Sequence, residues 1–506
     1  MLQLVGRTAN FEDKGPTIEA YRTHRGTETQ RHRENEISRL TAANRNKLTN
    51  YIYYIALLTI FGLGIWLILA VGSKLDPPTN PSTAPSAVAA VTSTTPATSI
   101  TRNPLTILLL QIIAIIIVAK LFAAIFRRLG QPPVMGEMVA GIVLGPSLVG
   151  WLAPAVTGFL FPATSMTTLG VVSQIGVVLF MFVVGVELDL DHLREKASSA
   201  IMVSHASIVV PFLMGSALAL ALYGRLAPAN TSFTPFALFL GIAMSITAFP
   251  VLARILKDKG LTQTPLGNTA LACASVDDVT AWCILAFVTA IVKSSGFLEA
   301  LRTLGLTLLF ILFMVFLVKP KIENFISMRV QTQLHSRRLL AGIVAFALSC
   351  AWFTETIGIH ALFGGFLAGV VMPSTPPVQS FLREKIEDFS SATFLPLFFV
   401  FTGLRTQITL LNDLNSWLLC LGIIMVAIVG KLVGSMLMAR WTRMSWHDSF
   451  SIGVLMNTRG LMELVVLNIG YDLGILSPRI FVMMVVMALT TTFMTGPLLS
   501  LAKKME

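Results

Sequence analysis

The sequence is short of charge. Only 12% of its 506 residues are Asp, Glu, Lys or Arg, against about 25% in an ordinary soluble chain. That deficit excludes a string of soluble domains. Cysteine is scarce too. The four residues (Cys273, Cys283, Cys350 and Cys420) all sit in apolar runs, and none has metal-ligand spacing. They read as free thiols packed as small hydrophobes. Nucleotide motifs are missing. Gly430-Lys431-Leu432 lacks both the upstream glycine and the following Ser or Thr of a phosphate-binding loop, so ATP-driven pumping is not expected. A domain large enough for a sensor or scaffold is missing as well.

What the chain has is long apolar runs, with 54% hydrophobic residues. A bilayer crossing needs about 20 apolar residues. Residues 1–49 read as a mixed-charge cytoplasmic tail. Residues 50–72 read as an uncleaved transmembrane anchor, because a cleaved signal has a shorter core and no such tail. Residues 73–103 are rich in Pro, Ser, Thr and Ala, and form an external linker. From 104 to 506 follow thirteen expected helices, at roughly 104–126, 134–152, 167–188, 199–223, 233–257, 266–293, 297–318, 337–357, 358–373, 391–407, 416–440, 446–470 and 478–501. With the tail inside, 27 of the 37 Lys and Arg fall on the cytoplasmic side, 7 outside and three within spans. This asymmetry supports fourteen crossings with both termini cytoplasmic. The net charge of +11 then belongs to cytoplasmic loops and not to a nucleic-acid surface.

Against this background a few polar residues stand out. Asp277 and Asp278 lie mid-way along an apolar run. One carboxylate at that depth costs on the order of 3 kcal/mol, so an ion or proton site is the default reading. Lys431 lies at similar depth in another run and needs a counter-ion, for which Asp277 or Asp278 is the candidate. Ser245, Thr247 and Pro250 interrupt the fifth helix; Asn457, Thr458, Arg459 and Gly460 interrupt the twelfth. Alone, each is an ordinary kink. Two breaks in corresponding positions of two halves point to an inverted-repeat transporter, with unwound backbone that can complement ions. Arg459 and Glu463 stand at i,i+4 and can pair, as supporting charge balance. Glu187 and Asp189 close the third helix and suit a cytoplasmic funnel.

These residues carry a family resemblance. Residues 136–147 (GEMVAGIVLGPS), 180–189 (FMFVVGVELD), 247–250 (TAFP), 359–369 (IHALFGGFLAG), 396–405 (PLFFVFTGLR) and 456–464 (MNTRGLMEL) together resemble the monovalent cation:proton antiporter-2 family. Bacterial sodium/proton antiporters and plant cation/proton exchangers are the most similar branches. The resemblance covers residues 104–502 or so. It implies an all-α, thirteen-helix inverted-repeat exchanger with two crossing interrupted helices, here with one extra N-terminal helix. It implies a homodimer whose core domain moves like an elevator. Asp278 would be the carrier of cation and proton, and Asp277 would pair with Lys431. With the sequence running to Glu506, regulation through the cytosolic nucleotide-binding domain of glutathione-gated potassium-efflux relatives is not expected within this chain.

The expected function is therefore transport, not enzymatic catalysis. A monovalent cation, Na⁺ first and otherwise K⁺ or Li⁺, exchanges for protons electrogenically in a bacterial inner membrane. The alternative is K⁺/H⁺ antiport or K⁺ efflux. No cofactor is expected; the partners are the transported ions, membrane lipid and a second copy of the chain.

Overall fold

The computed structural model describes residues 54–75, 103–187, 197–229, 231–262, 264–293, 297–323, 325–326, 337–373 and 375–504. The expected tail over 1–49, most of the linker, and Asp189 lie outside them. The chain falls into two units, Met1–Ile60 and Phe61–Glu506. The first is described only over the opening turns of helix α1 (Tyr54–Gly72). Everything below concerns the second.

Among that unit's described residues every regular element is a helix, with turns and extended breaks between them. Its main helices are α2 (Pro104–Arg128), α3 (Pro133–Leu144), α4 (Ala163–Glu187), α5 (Ala197–Leu226), α6 (Phe233–Ser245), α7 (Phe249–Asp258), α8 (Pro265–Lys293) and α9 (Phe297–Phe313), with short helices at Val149–Leu152 and Pro154–Leu160 between α3 and α4. Then come α10 (Arg337–Thr356), α11 (Ala361–Val370), α12 (Pro376–Leu382), α13 (Leu395–Arg405), α14 (Leu414–Ile428), α15 (Gly434–Trp441), α16 (Trp446–Met456), α17 (Leu461–Asp472) and α18 (Pro478–Lys504). Proline opens many of them, where its missing N–H costs nothing. Side chains of Asn103, Asp413 and Ser445 cap α2, α14 and α16. Twelve described segments are long and apolar enough to cross a membrane. The pair α16–α17, bent by 40° at its break, makes a thirteenth, and α11 is a shorter apolar helix.

The helices pack as two bundles. The first holds α2–α4 and α10–α13; the second holds α5–α8 and α14–α18. The glycines of the family motifs explain the first. A Cβ on Gly141 would stand 2.3 Å from the Val400 carbonyl oxygen, and one on Gly403 would stand 2.6 Å from the Gly141 Cα. Gly185 and Gly369 meet in the same way across α4 and α11. Without an aqueous driving force between membrane helices, such close backbone approach supplies the packing energy.

One span differs from the sequence reading. The span expected at 391–407 runs from Pro376 to Leu410. Its first half carries Arg383, Glu384, Lys385, Glu387 and Asp388, which a hydropathy reading rejects as membrane-embedded. They are tolerated because this stretch lines a cavity. The fifth and twelfth expected helices are broken at the expected interruptions, each into two separate helices. Within the second unit, Phe61 lies edge-on to Phe212, with ring centroids 5.5 Å apart, and Gly64 and Gly72 abut Leu213 and Phe233.

Candidate functional site

The site forms where α6–α7 and α16–α17 cross. Ile246 is extended, and Pro250 sits in the first turn of α7. Pro250 therefore starts a helix here and does not kink one. The two breaks are tied to each other. The Ala248 N–H donates to the Thr458 carbonyl at 3.1 Å, and the Thr247 hydroxyl lies 3.1 Å from the Met456 carbonyl. Gly460 allows the crossing, since a Cβ there would lie 2.8 Å from Val251. Thr492 of α18 braces the second break, accepting from the Arg459 N–H and donating to the Arg459 carbonyl. Thr458 meets Thr495, 3.2 Å between hydroxyls.

Ending α6 inside the protein leaves its last carbonyls without intrahelical partners. Two cations fill them. Arg459 donates to Ala243 at 3.0 Å and Met244 at 2.7 Å; Lys431 donates to the Ser245 carbonyl. Positive charge at a helix C-terminus also complements its dipole. The sequence reading left these carbonyls open to the ion, whereas here two side chains occupy them. The Ser245 hydroxyl turns back to the Gly241 carbonyl, so Ser245 faces Lys431 through its backbone. Glu463, in the first turn of α17, stands 3.4 Å from Arg459. Both side chains are fully buried. The Asn457 side-chain oxygen is buried with no protein partner.

The adjacent carboxylates on α8 lead different lives. Neighbours in a helix point about 100° apart. Asp277 faces α5 and accepts four hydrogen bonds. Ser204 and Ser207 donate at 2.5 and 3.0 Å, Thr247 at 2.6 Å and Lys431 at 3.1 Å. Lys431 is also complete, with donors to the Ser207 and Ser245 carbonyls and to Asp277. A π-helical turn, Val429–Val433, carries it there; such turns often mark functional positions. Asp278, equally buried, has no side-chain hydrogen-bond partner on either oxygen, and only the Phe249 N–H is directed at it. Its surroundings are Ile246, Ala281, Trp282, Leu285, Met462 and Val466, around a narrow void.

A cavity of about 600 Å³ opens from one face of the protein towards this site. Glu187, Glu387, Glu384 and Arg383 line it, and its inner wall includes Leu271 and Phe249, the first residue after the α6–α7 break. Arg383 bridges Glu187 at 2.6 Å and Glu387 at 3.0 Å. Sequence reading named Glu187 for this funnel but missed Arg383 and Glu387. It also missed Ser204, Ser207, Thr492 and Thr495. The serines had a readable signal: i,i+3 spacing puts two hydroxyls on one face of an apolar helix.

Comparison with known proteins adds family context. Residues 112–502 match the family model described as sodium/hydrogen exchanger, transmembrane. The chain is 45% identical over 397 residues to the Na⁺/H⁺ antiporter NhaS4 of Synechocystis, covering 78% of this chain and 97% of that protein. It is 39% identical to cation/H⁺ antiporter 17 of Arabidopsis thaliana, covering 78% of this chain. It is 33% identical to K⁺/H⁺ antiporter 1 of Saccharomyces cerevisiae, covering 79%. It spans about half the length of those two, 48% and 46%. The fold is similar to that of the sodium/proton antiporter MjNhaP1 from Methanocaldococcus jannaschii, with a TM-score of 0.58 over 79% of this chain and 99% of that one, at 14% identity. With a family model matched over more than half its length and a relative of this identity, the chain belongs to the sodium/hydrogen exchanger family of cation:proton antiporters.

Proposed function

We propose that the protein is a secondary antiporter in which one monovalent cation and the proton compete for Asp278. One observation carries this reading: of the three carboxylates buried at the site, Asp277 is paired with Lys431 and Glu463 with Arg459, whereas Asp278 has neither a side-chain hydrogen bond nor an ion-pair partner. An isolated buried carboxylate is costly unless it binds a proton or a cation. Asp277 and Lys431 are the fixed ion pair beside it, and Arg459 with Glu463 balances charge at the breaks. Na⁺ is the first-choice cation, the ion named for the cyanobacterial relative. K⁺ is the second reading, favoured by the ion named for the yeast relative. The protein works as a homodimer without a cofactor, in the inner membrane of a bacterial cell, with both termini cytoplasmic. On that orientation the large cavity faces the cytoplasm, and the second bundle slides against the first as an elevator. Arg383 and Glu187 line the cytoplasmic approach.

The test is proteoliposomes loaded with a quenched pH dye. Na⁺, Li⁺, K⁺ and choline are added in turn. Dequenching by one or more alkali cations but not by choline is expected. Identical traces for all four would overturn the antiport reading.

We further propose two protons per cation. With the proton on Asp278, that residue is neutral and Asp277 and Lys431 cancel. A cation that replaces this proton and draws Asp277 away from Lys431 leaves the lysine without its partner. If the lysine then sheds its proton, the loaded site carries one net negative charge. In this conformation Asp277 makes four hydrogen bonds, so loading must open that network. A cycle that moves one net charge feels about 2.3 kcal/mol per 100 mV. Exchange in potassium/valinomycin-clamped proteoliposomes should therefore change with the imposed potential. Rates indifferent to it would mean one-for-one exchange.

A further inference from the structure

The two ends of the bundle interface are built differently. At the cavity end, Arg383 and its partners Glu187 and Glu387 all belong to the first bundle. At the opposite end, ion pairs cross between bundles. Arg405, the last residue of α13, donates to Asp472 at 2.8 Å and Asn468 at 3.1 Å, both on α17. Asn468 donates back to Thr402 of α13 at 2.8 Å. Lys293, ending α8, lies 3.5 Å from Glu355 of α10. The Arg405 guanidinium lies over the Phe401 ring, 4.2 Å from its centroid, which fixes its aim. Beneath the tie only about 20 Å³ is open, beside the buried Ser173. The same α17 begins at the broken segment next to Asp278.

We propose that Arg405 and Asp472, with Asn468 and Thr402, form a latch that holds the exchanger closed at the end away from the cavity. They are positioning residues for the transport cycle. The proposal rests on the alternating-access reading above. Charge-assisted hydrogen bonds are strong enough to bias a two-state equilibrium. Arg405 and Asp472 keep 23% and 37% of their side-chain surface in contact with solvent. Water can therefore take over both groups when the tie opens, so the bias stays small enough to cycle. A latch between α13 and α17 also acts on the site directly: as the tie opens, α17 is free to carry the break and Asp278 away from the cavity.

The test uses the full chain with Cys283→Ser and a Ser173→Cys reporter, in membranes, with a membrane-impermeant maleimide applied on the latch side. Arg405→Ala should speed labelling on the order of tenfold, the loss expected from one charge-assisted tie. It should also lower the cation KM measured from the latch side and raise the KM from the cavity side, because a population shift moves the two in opposite senses. Arg405→Lys should recover part of both effects. Asp472→Asn gives the same readings if the arginine variant folds poorly. Labelling that responds to cations in the parent but is unchanged in both variants overturns the latch alone. Labelling that never responds to cations in any chain overturns the latch together with the alternating-access reading.

Discussion

Asp278→Asn should abolish cation-driven proton movement and leave the fold intact. The two halves of this result follow from one geometry. No side chain bonds to either Asp278 oxygen, and the one backbone group directed at it, the Phe249 N–H, can be accepted equally by an amide oxygen. Its surroundings are the apolar groups of Ile246, Leu285, Met462 and Val466, where a neutral amide is cheaper to bury than a carboxylate. Thermal unfolding in detergent should therefore match the parent or rise slightly. Function fails because an amide can neither release a proton near neutral pH nor neutralise a cation. Dye-reported exchange should fall to the level of protein-free liposomes. Normal exchange by a well-folded Asn variant would remove Asp278 from the carrier role.

The second large effect falls on stability. Lys431→Ala and Asp277→Ala should each destabilise the protein by roughly 3–5 kcal/mol, because each strands the other charge in a dry place. The lysine variant also orphans the Ser207 and Ser245 carbonyls. The aspartate variant instead frees three hydroxyls, which are individually small losses. The double variant removes both charges together and should lose less than the sum of the singles. Thermal unfolding of the four proteins closes the cycle. Strict additivity would contradict the 3.1 Å contact between the two side chains.

How much of this was readable without coordinates depended on the kind of residue. Charges inside apolar runs announce themselves, since membrane burial makes them expensive. Asp277, Asp278, Lys431, Arg459 and Glu463 were named for that reason. Which carboxylate meets Lys431 was not legible from the residues alone, because adjacent positions differ only by helix rotation. The π-helical turn that aims the lysine leaves no compositional mark. Ser204 and Ser207 were hidden by being ordinary in membrane helices. The start of the span at Pro376 was hidden by the opposite fault: Arg383, Glu384, Lys385, Glu387 and Asp388 made a lined cavity look like a loop. The breaks were legible through Pro250 and Gly460, but their carbonyls were read as open, and only the structure assigns them to Arg459 and Lys431. The glycines at 141, 185, 369 and 403 were visible as motifs, while their pairing across helices was not.

The most direct measurement is the cation KM of exchange across a series of pH values on the cation-loading side, with the opposite side held fixed. If Asp278 holds the cation and the proton in turn, the KM rises as pH falls, at least in proportion to proton concentration at the acid end, and more steeply where Lys431 also gives up its proton on loading. The maximal rate stays unchanged, because saturating cation displaces the proton. A KM that ignores pH while the maximal rate falls would mean that cation and proton bind together at separate groups, and Asp278 would not be their shared carrier.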